Sequence, residues 1–124
     1  MFSKIVVGTD GSETSQRAVS LAAEIAKTHG AVLYLVNAYG APPDEAASVA
    51  ILAEAASGTG VGQVGTLSKQ GSPAETMIGV AEEVGADLIV VGSKGMRGAR
   101  RMIGSVPNSV AHGAPCHVIV AKTT

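Results

Sequence analysis

The sequence predicts a doubly wound α/β fold built on a five-stranded parallel sheet. Three observations lead there. The strand-like segments are short apolar runs that do not alternate with polar residues, as strands buried on both faces require. Segments of helical periodicity separate them, giving the order βαβαβαβαβ. Glycine-bearing turn clusters follow the first and fourth runs, at Gly8–Ser12 and Gly92–Gly95. In such folds ligands sit at the carboxyl ends of the strands, where the direction of winding switches. If the first and fourth strands are neighbours, both clusters open onto one crevice.

Ile5-Val6-Val7 is β-branched throughout and reads as the first strand. A helix is expected from about Ser12 to His29, with Ala18, Ala22, Ile25 and Ala26 on one face and Val19 and Leu21 widening it. Lys27 and His29 suit its carboxyl end, and Gly30 suits the cap. Ala31–Val36 is the second strand. Pro42-Pro43-Asp44 opens a second helix, whose apolar face is Val49, Leu52, Ala53 and Ala56. A weak third strand is expected around Val64–Ser68. Ser72-Pro73-Ala74-Glu75 has the form of a capping box, with Met77, Ile78, Ala81 and Val84 as the buried face behind it and Gly85 as the stop. Leu88–Val91 is the fourth strand. A short helix from about Ser105 to His112 and a last strand, His117–Ala121, complete the chain.

The chain's 124 residues fit one domain, 1–124. Aromatic residues make up 2% (Phe2, Tyr34 and Tyr39), so the core is aliphatic and a base-stacking platform for single-stranded nucleic acid is excluded. No apolar run approaches the ~18 residues of a membrane span, and no signal peptide is expected. Cys116 is the one cysteine and cannot form an internal disulfide, so a cytoplasmic setting is expected.

The net charge of −1 is unevenly spread. Residues 1–87 hold ten acids and four bases, and residues 88–124 hold five bases and no acid. Lys94, Arg97, Arg100 and Arg101 cluster within eight residues. They are either a solvated surface or an anion site, and the backbone around them decides between the two. Gly92, Gly95 and Gly98 permit close approach to a ligand, and Gly104-Ser105 opens a helix whose free N–H groups favour anions.

Other motifs are excluded. Gly60-Val61-Gly62-Gln63-Val64-Gly65 matches G-x-G-x-x-G but follows a helix and enters a strand, the reverse of a dinucleotide fingerprint. Walker A and nucleophile-elbow motifs are absent. No acid pair beside Asp10 supports a phospho-acceptor pocket. His112, Cys116 and His117 form a metal cluster by letter only, since Cys116 and His117 are strand neighbours pointing to opposite faces. Asp10 itself fits two roles, a turn cap or a ligand contact.

Together, Val6–Ser12, Gly71-Ser72-Pro73-Ala74, Ala86–Gly92, the G-x-x-G and G-S elements of Gly92–Ser105, and Ala114–Val120 resemble the universal stress protein family over almost the whole chain. The resemblance implies strand order 3-2-1-4-5 in a Rossmann-like, adenine nucleotide alpha hydrolase-like fold. It also implies homodimerisation and, in one branch, bound ATP. Carried over residue by residue, Asp10 meets the ribose or base, while Thr9 and the backbone at Val36 and Asn37 frame the adenine. Gly92 and Gly95 approach ribose and phosphates, with Ser93 and Arg97 in the same binding stretch. Gly104, Ser105 and Val106 hold the phosphates. The family spacing is G-x2-G-x9-G-S, whereas eight residues, Met96 to Ile103, separate Gly95 from Gly104 here. The chain is also short for the family, in the region of residues 38–60.

The function expected is that of a non-catalytic stress-response regulator binding ATP, or AMP or cyclic AMP, with Mg carried in on the nucleotide as an option. The alternative is a protein-interaction module of the same fold without tight nucleotide binding. The expected partners are a second copy, joined through His117–Ala121, and an unidentified protein, with no nucleic acid and no membrane. The edge strand is apolar and open, blunted by Lys122 alone unless the loop at Ala38–Pro43 shields it.

Overall fold

The structure is a computed structural model and describes residues 1–93 and 105–123. In chain order the elements are β1 (Lys4–Gly8), α1 (Glu13–His29), β2 (Val32–Tyr39), a 3-10 turn (Pro42–Asp44), α2 (Glu45–Ser57), β3 (Val64–Gln70), α3 (Pro73–Val84), β4 (Leu88–Gly92), α4 (Ser105–Gly113) and β5 (His117–Ala121). The five strands form one parallel sheet in the order β3-β2-β1-β4-β5. The expected doubly wound, Rossmann-like architecture is therefore present.

The non-alternating runs have the cause inferred from them. Along β1, Ile5 and Val7 pack with α1 and α2 residues, whereas Val6 packs with α3 and α4 residues, and all three are 0% exposed. β4 does the same, with Leu88 and Val90 on one side and Ile89 and Val91 on the other. A strand covered by helices on both faces has no position for a polar side chain. α1 meets the sheet through alanines (Ala18, Ala22, Ala23 and Ala26) and Val19, which lets it lie close to β1 and β4.

Several local expectations are corrected. Leu21 is exposed, lying outside the α1 stripe. The buried face of α2 is Ser48, Leu52 and Ala55, not the face containing Val49 and Ala53, which are exposed. Ser48 can be buried because its hydroxyl and that of Ser68 in β3 share a 2.7 Å hydrogen bond. In α3, Val80 joins Met77 and Ala81 in the core, while Ile78 and Val84 are half-buried. Ser72 is the N-cap residue, but the capping box is not formed. Its hydroxyl donates to Glu75 Oε1 at 2.9 Å, and no helix N–H donates to it.

β2 and β3 run further than expected. They pair over seven residues, Leu33↔Val64 through Tyr39↔Gln70. The Gly60–Gly65 motif leads into β3, not into a helix. The segment at Ala38–Pro43 lies at the β3 side of the sheet, where Gln70 Nε2 donates to the Gly40 carbonyl at 3.1 Å. It therefore cannot shield β5, which lies on the opposite edge.

At the amino-terminal end of the sheet, Asp87 joins β4 to β1. Its carboxylate accepts from Ser3 N at 2.8 and 3.1 Å and from Lys4 N at 3.1 Å, and its own N–H donates to the Lys4 carbonyl at 3.0 Å. Burial works against the charge, but the backbone donors of Ser3 and Lys4 outweigh it and hold the carboxyl below its ordinary value of 3.8. A lowered folded pKa stabilises the protein above the unfolded value, and that contribution is lost as pH falls through the folded value. Asp87→Asn is therefore expected to cost about 1 kcal/mol at pH 7, the solvent-discounted value of charged hydrogen bonds. Urea titrations of the two proteins should converge as the pH is lowered below about 4. A gap that stays constant with pH would assign the cost to packing.

Candidate functional site

In a parallel α/β sheet each helix begins beyond the carboxyl end of a strand. Here the amino termini of α1, α3 and α4 meet over the carboxyl ends of β1, β2 and β4. They enclose a cavity of about 450 Å³ at the switch point where β1 is flanked by β2 on one side and β4 on the other. That lies within the usual range for small-ligand sites, about 300–1,000 Å³. The free N–H groups and dipoles of helix amino termini make such a place electropositive.

β1 contributes Gly8 and, just past its end, Thr9 and Asp10. Gly8 has no Cβ, and one placed there would lie 2.6 Å from Met77 Sδ, so glycine lets the α3 methionine seat against the strand end. Thr9 is tied on several sides. Its N–H donates to the Val36 carbonyl at 2.9 Å, and its carbonyl accepts from Asn37 Nδ2 at 2.6 Å. Its hydroxyl shares a 3.1 Å hydrogen bond with Ser15 and accepts from Gly11 N at 3.1 Å. The Asp10 carboxylate accepts from Ser12 N at 2.9 Å, and Ser12 Oγ accepts from Ser15 N at 3.2 Å to cap α1. The turn-cap role of Asp10 is therefore real, and the residue also lines the cavity.

β2 brings Val36 and Asn37, β4 ends in Gly92, and α4 starts with Ser105 and Val106. Seven of the residues named from the sequence thus meet around one cavity: Thr9, Asp10, Val36, Asn37, Gly92, Ser105 and Val106. Ser93 lies outside its lining. It is 2% exposed, its N–H donates to the Ala121 carbonyl at 2.8 Å, and its hydroxyl accepts from Thr123 N at 3.0 Å. Gly95, Arg97 and Gly104 lie outside the described residues, as does the rest of the basic cluster.

Sequence reasoning missed several lining residues. Pro73, Thr76 and Met77 come from the first two turns of α3, and Thr123 comes from beyond β5. Arg17 Nη1 donates to the Thr123 carbonyl at 3.3 Å and holds it there. Position was the available signal, since Thr123 lies two residues past a strand's carboxyl end.

Outside the cavity, burial pushes the Cys116 thiol up, and the charge of Asp87 adds to the effect. The side chain packs with the α3–α4 core, while His117 meets the Phe2 ring on the other side at 6.2 Å. Among the described residues no group of three His, Cys, Asp or Glu side chains could hold a metal ion, and no helix is long and apolar enough to cross a membrane.

A five-stranded 3-2-1-4-5 sheet with a cavity at its switch point defines a domain of the Rossmann-like class. Residues 1–122 match the model of the universal stress protein family, and the chain belongs to that family. It is 35% identical over 137 residues to a universal stress protein of Thermus aquaticus, covering 98% of this chain and all of that one. A crystal structure of a universal stress protein in complex with cAMP superposes with a TM-score of 0.86 at 36% identity, over 99% of this chain and 98% of the other. The universal stress protein of Archaeoglobus fulgidus in complex with dAMP gives 0.81 at 27% identity, over 97% and 98%.

Proposed function

We propose that this chain is a non-catalytic, adenine-nucleotide-binding regulator of stress responses. It works in the cytoplasm as a homodimer of one-domain subunits and acts through its assembly or a protein partner. The observation that carries the reading is the convergence on one cavity of Thr9, Asp10, Val36, Asn37 and Gly92 with the start of α4 at Ser105 and Val106. The strand ends offer an apolar wall and a backbone frame suited to a base. Asp10 stands where a ribose hydroxyl could donate to it, and Ser105 and Val106 stand where phosphates gain from a helix terminus. ATP, AMP and cyclic AMP share those features, and Mg would arrive with the polyphosphate. The two related proteins in complex with cAMP and dAMP support an adenine ligand.

The non-catalytic part of the proposal has its own support. Among the described lining residues Asp10 is the one acid. No histidine is among them to act as a general base.

Isothermal titration with ATP, AMP, cyclic AMP and GTP tests the reading. At least one adenine nucleotide is expected to bind in the micromolar range and to be returned unhydrolysed after prolonged incubation. No adenine-nucleotide binding at about 1 mM, which corresponds to about 4 kcal/mol, would hand the chain to the interaction-module alternative.

A further inference from the structure

We propose that the Asn37 side chain selects the base in this crevice. Its carboxamide oxygen accepts from the 6-amino group of an adenine ring, so 6-oxo purines are rejected. This rests on the adenine-nucleotide reading above and assigns its specificity to a side chain, whereas the family resemblance implies only a backbone frame.

A carboxamide carries two N–H donors at one end and an acceptor oxygen at the other. Asn37 is 7% exposed and lines the cavity. Its Nδ2 donates to the Thr9 carbonyl at 2.6 Å. A carbonyl cannot donate, so only the nitrogen can face Thr9, and the usual ambiguity between the two ends of an asparagine is resolved. The other end, Oδ1, makes no hydrogen bond among the described residues. Among the described residues, no fully enclosed side-chain nitrogen or oxygen lacks a partner. Oδ1 is therefore accessible, and the cavity is the open side of this otherwise buried residue.

The surroundings favour a flat ring. Val36, Met77 and Val91 give the same cavity an apolar wall. Nδ2 carries a second hydrogen besides the one given to Thr9. Acceptor and donor together form the pair with which asparagine reads the 6-amino group and adjoining ring nitrogen of adenine. Hypoxanthine or guanine would instead set a carbonyl against Oδ1, leaving two buried acceptors facing each other. A site that hydrogen-bonds one group strongly disfavours an analogue that cannot reciprocate.

The test uses the full chain and four nucleotides: ATP, its 6-oxo analogue inosine triphosphate, the unsubstituted purine riboside triphosphate, and N6,N6-dimethyl-ATP. Wild-type protein is expected to bind ATP at least about 30-fold more tightly than the 6-oxo and dimethyl analogues, with the unsubstituted purine between. In Asn37→Ala, shown to be folded by circular dichroism, the ATP preference should shrink to within about threefold. ATP binding without a 6-amino preference in the wild type, or a preference that survives in folded Asn37→Ala, would overturn this inference and leave the nucleotide reading standing. Should the variant not fold, the four wild-type affinities decide alone. Failure to bind ATP or any adenine nucleotide overturns both.

Discussion

Ile89→Ala is expected to lower the free energy of unfolding by about 4 kcal/mol, toward the upper part of the range for such truncations. Ile89 is 0% exposed and sits mid-strand in β4, registered with Val6 of β1 on one side and Val118 of β5 on the other. Its side chain packs with Met77, Val80 and Ala81 of α3 and Val110 of α4. Two properties keep the site from collapsing around the smaller residue. The strand is pinned by ladders on both sides, and many of the neighbours are β-branched and stiff at χ1. Against a typical domain stability of about 5–15 kcal/mol, the loss is large. Val118→Ala, on the half-buried edge strand, should cost only about 1 kcal/mol. Urea unfolding of both variants at one fixed protein concentration measures the difference, since subunit association would otherwise contribute. Equal losses would mean that the sheet's centre and edge are packed alike.

That contrast between centre and edge also explains what could be read from the sequence. β1, β4 and β5 lie within a residue of their expected bounds because burial on both faces or a tight apolar run marks them without help from other segments. β2 and β3 extend past their apolar runs into Asn37, Lys69 and Gln70, which are polar, and only the pairing of the two strands makes strand of them. The buried face of α2 is not legible in the sequence, because Ser48 looks like a surface residue until Ser68 is placed opposite its hydroxyl. In the site, Thr9, Asp10 and Gly92 were legible since turn clusters mark strand exits. Met77 was legible as core, but not as cavity wall, because that second role depends on the missing Cβ of Gly8. Thr123 depends on Arg17, 106 residues away in sequence, and on Ser93, a separation no local pattern encodes.

Val120→Pro is expected to convert the proposed homodimer to a folded monomer, raising the dimer dissociation constant at least about 100-fold. β5 is an outer strand of the sheet, and its polar backbone groups on the free side invite antiparallel pairing with a second copy about a two-fold axis. Which groups face outward follows from the ladder. The Ala121 carbonyl accepts from Ser93 N at 2.8 Å, so the main chain of Ala121 faces β4. Direction alternates along a strand, so the N–H and carbonyl of Val120 face away from the sheet, and those of Ile119 face β4. Proline at position 120 therefore removes an outward donor and adds ring bulk at the edge while sparing the bonds between β4 and β5. The same change one residue earlier, Ile119→Pro, removes a donor to β4 and is expected to unfold the protein. Equilibrium sedimentation at tens of micromolar, about the range where weak dimers still associate, separates the outcomes. Wild-type protein should sediment as a dimer, Val120→Pro as a monomer with native circular dichroism, and Ile119→Pro without it. A monomeric wild type, or a Val120→Pro variant that stays dimeric, would remove β5 as the dimer interface.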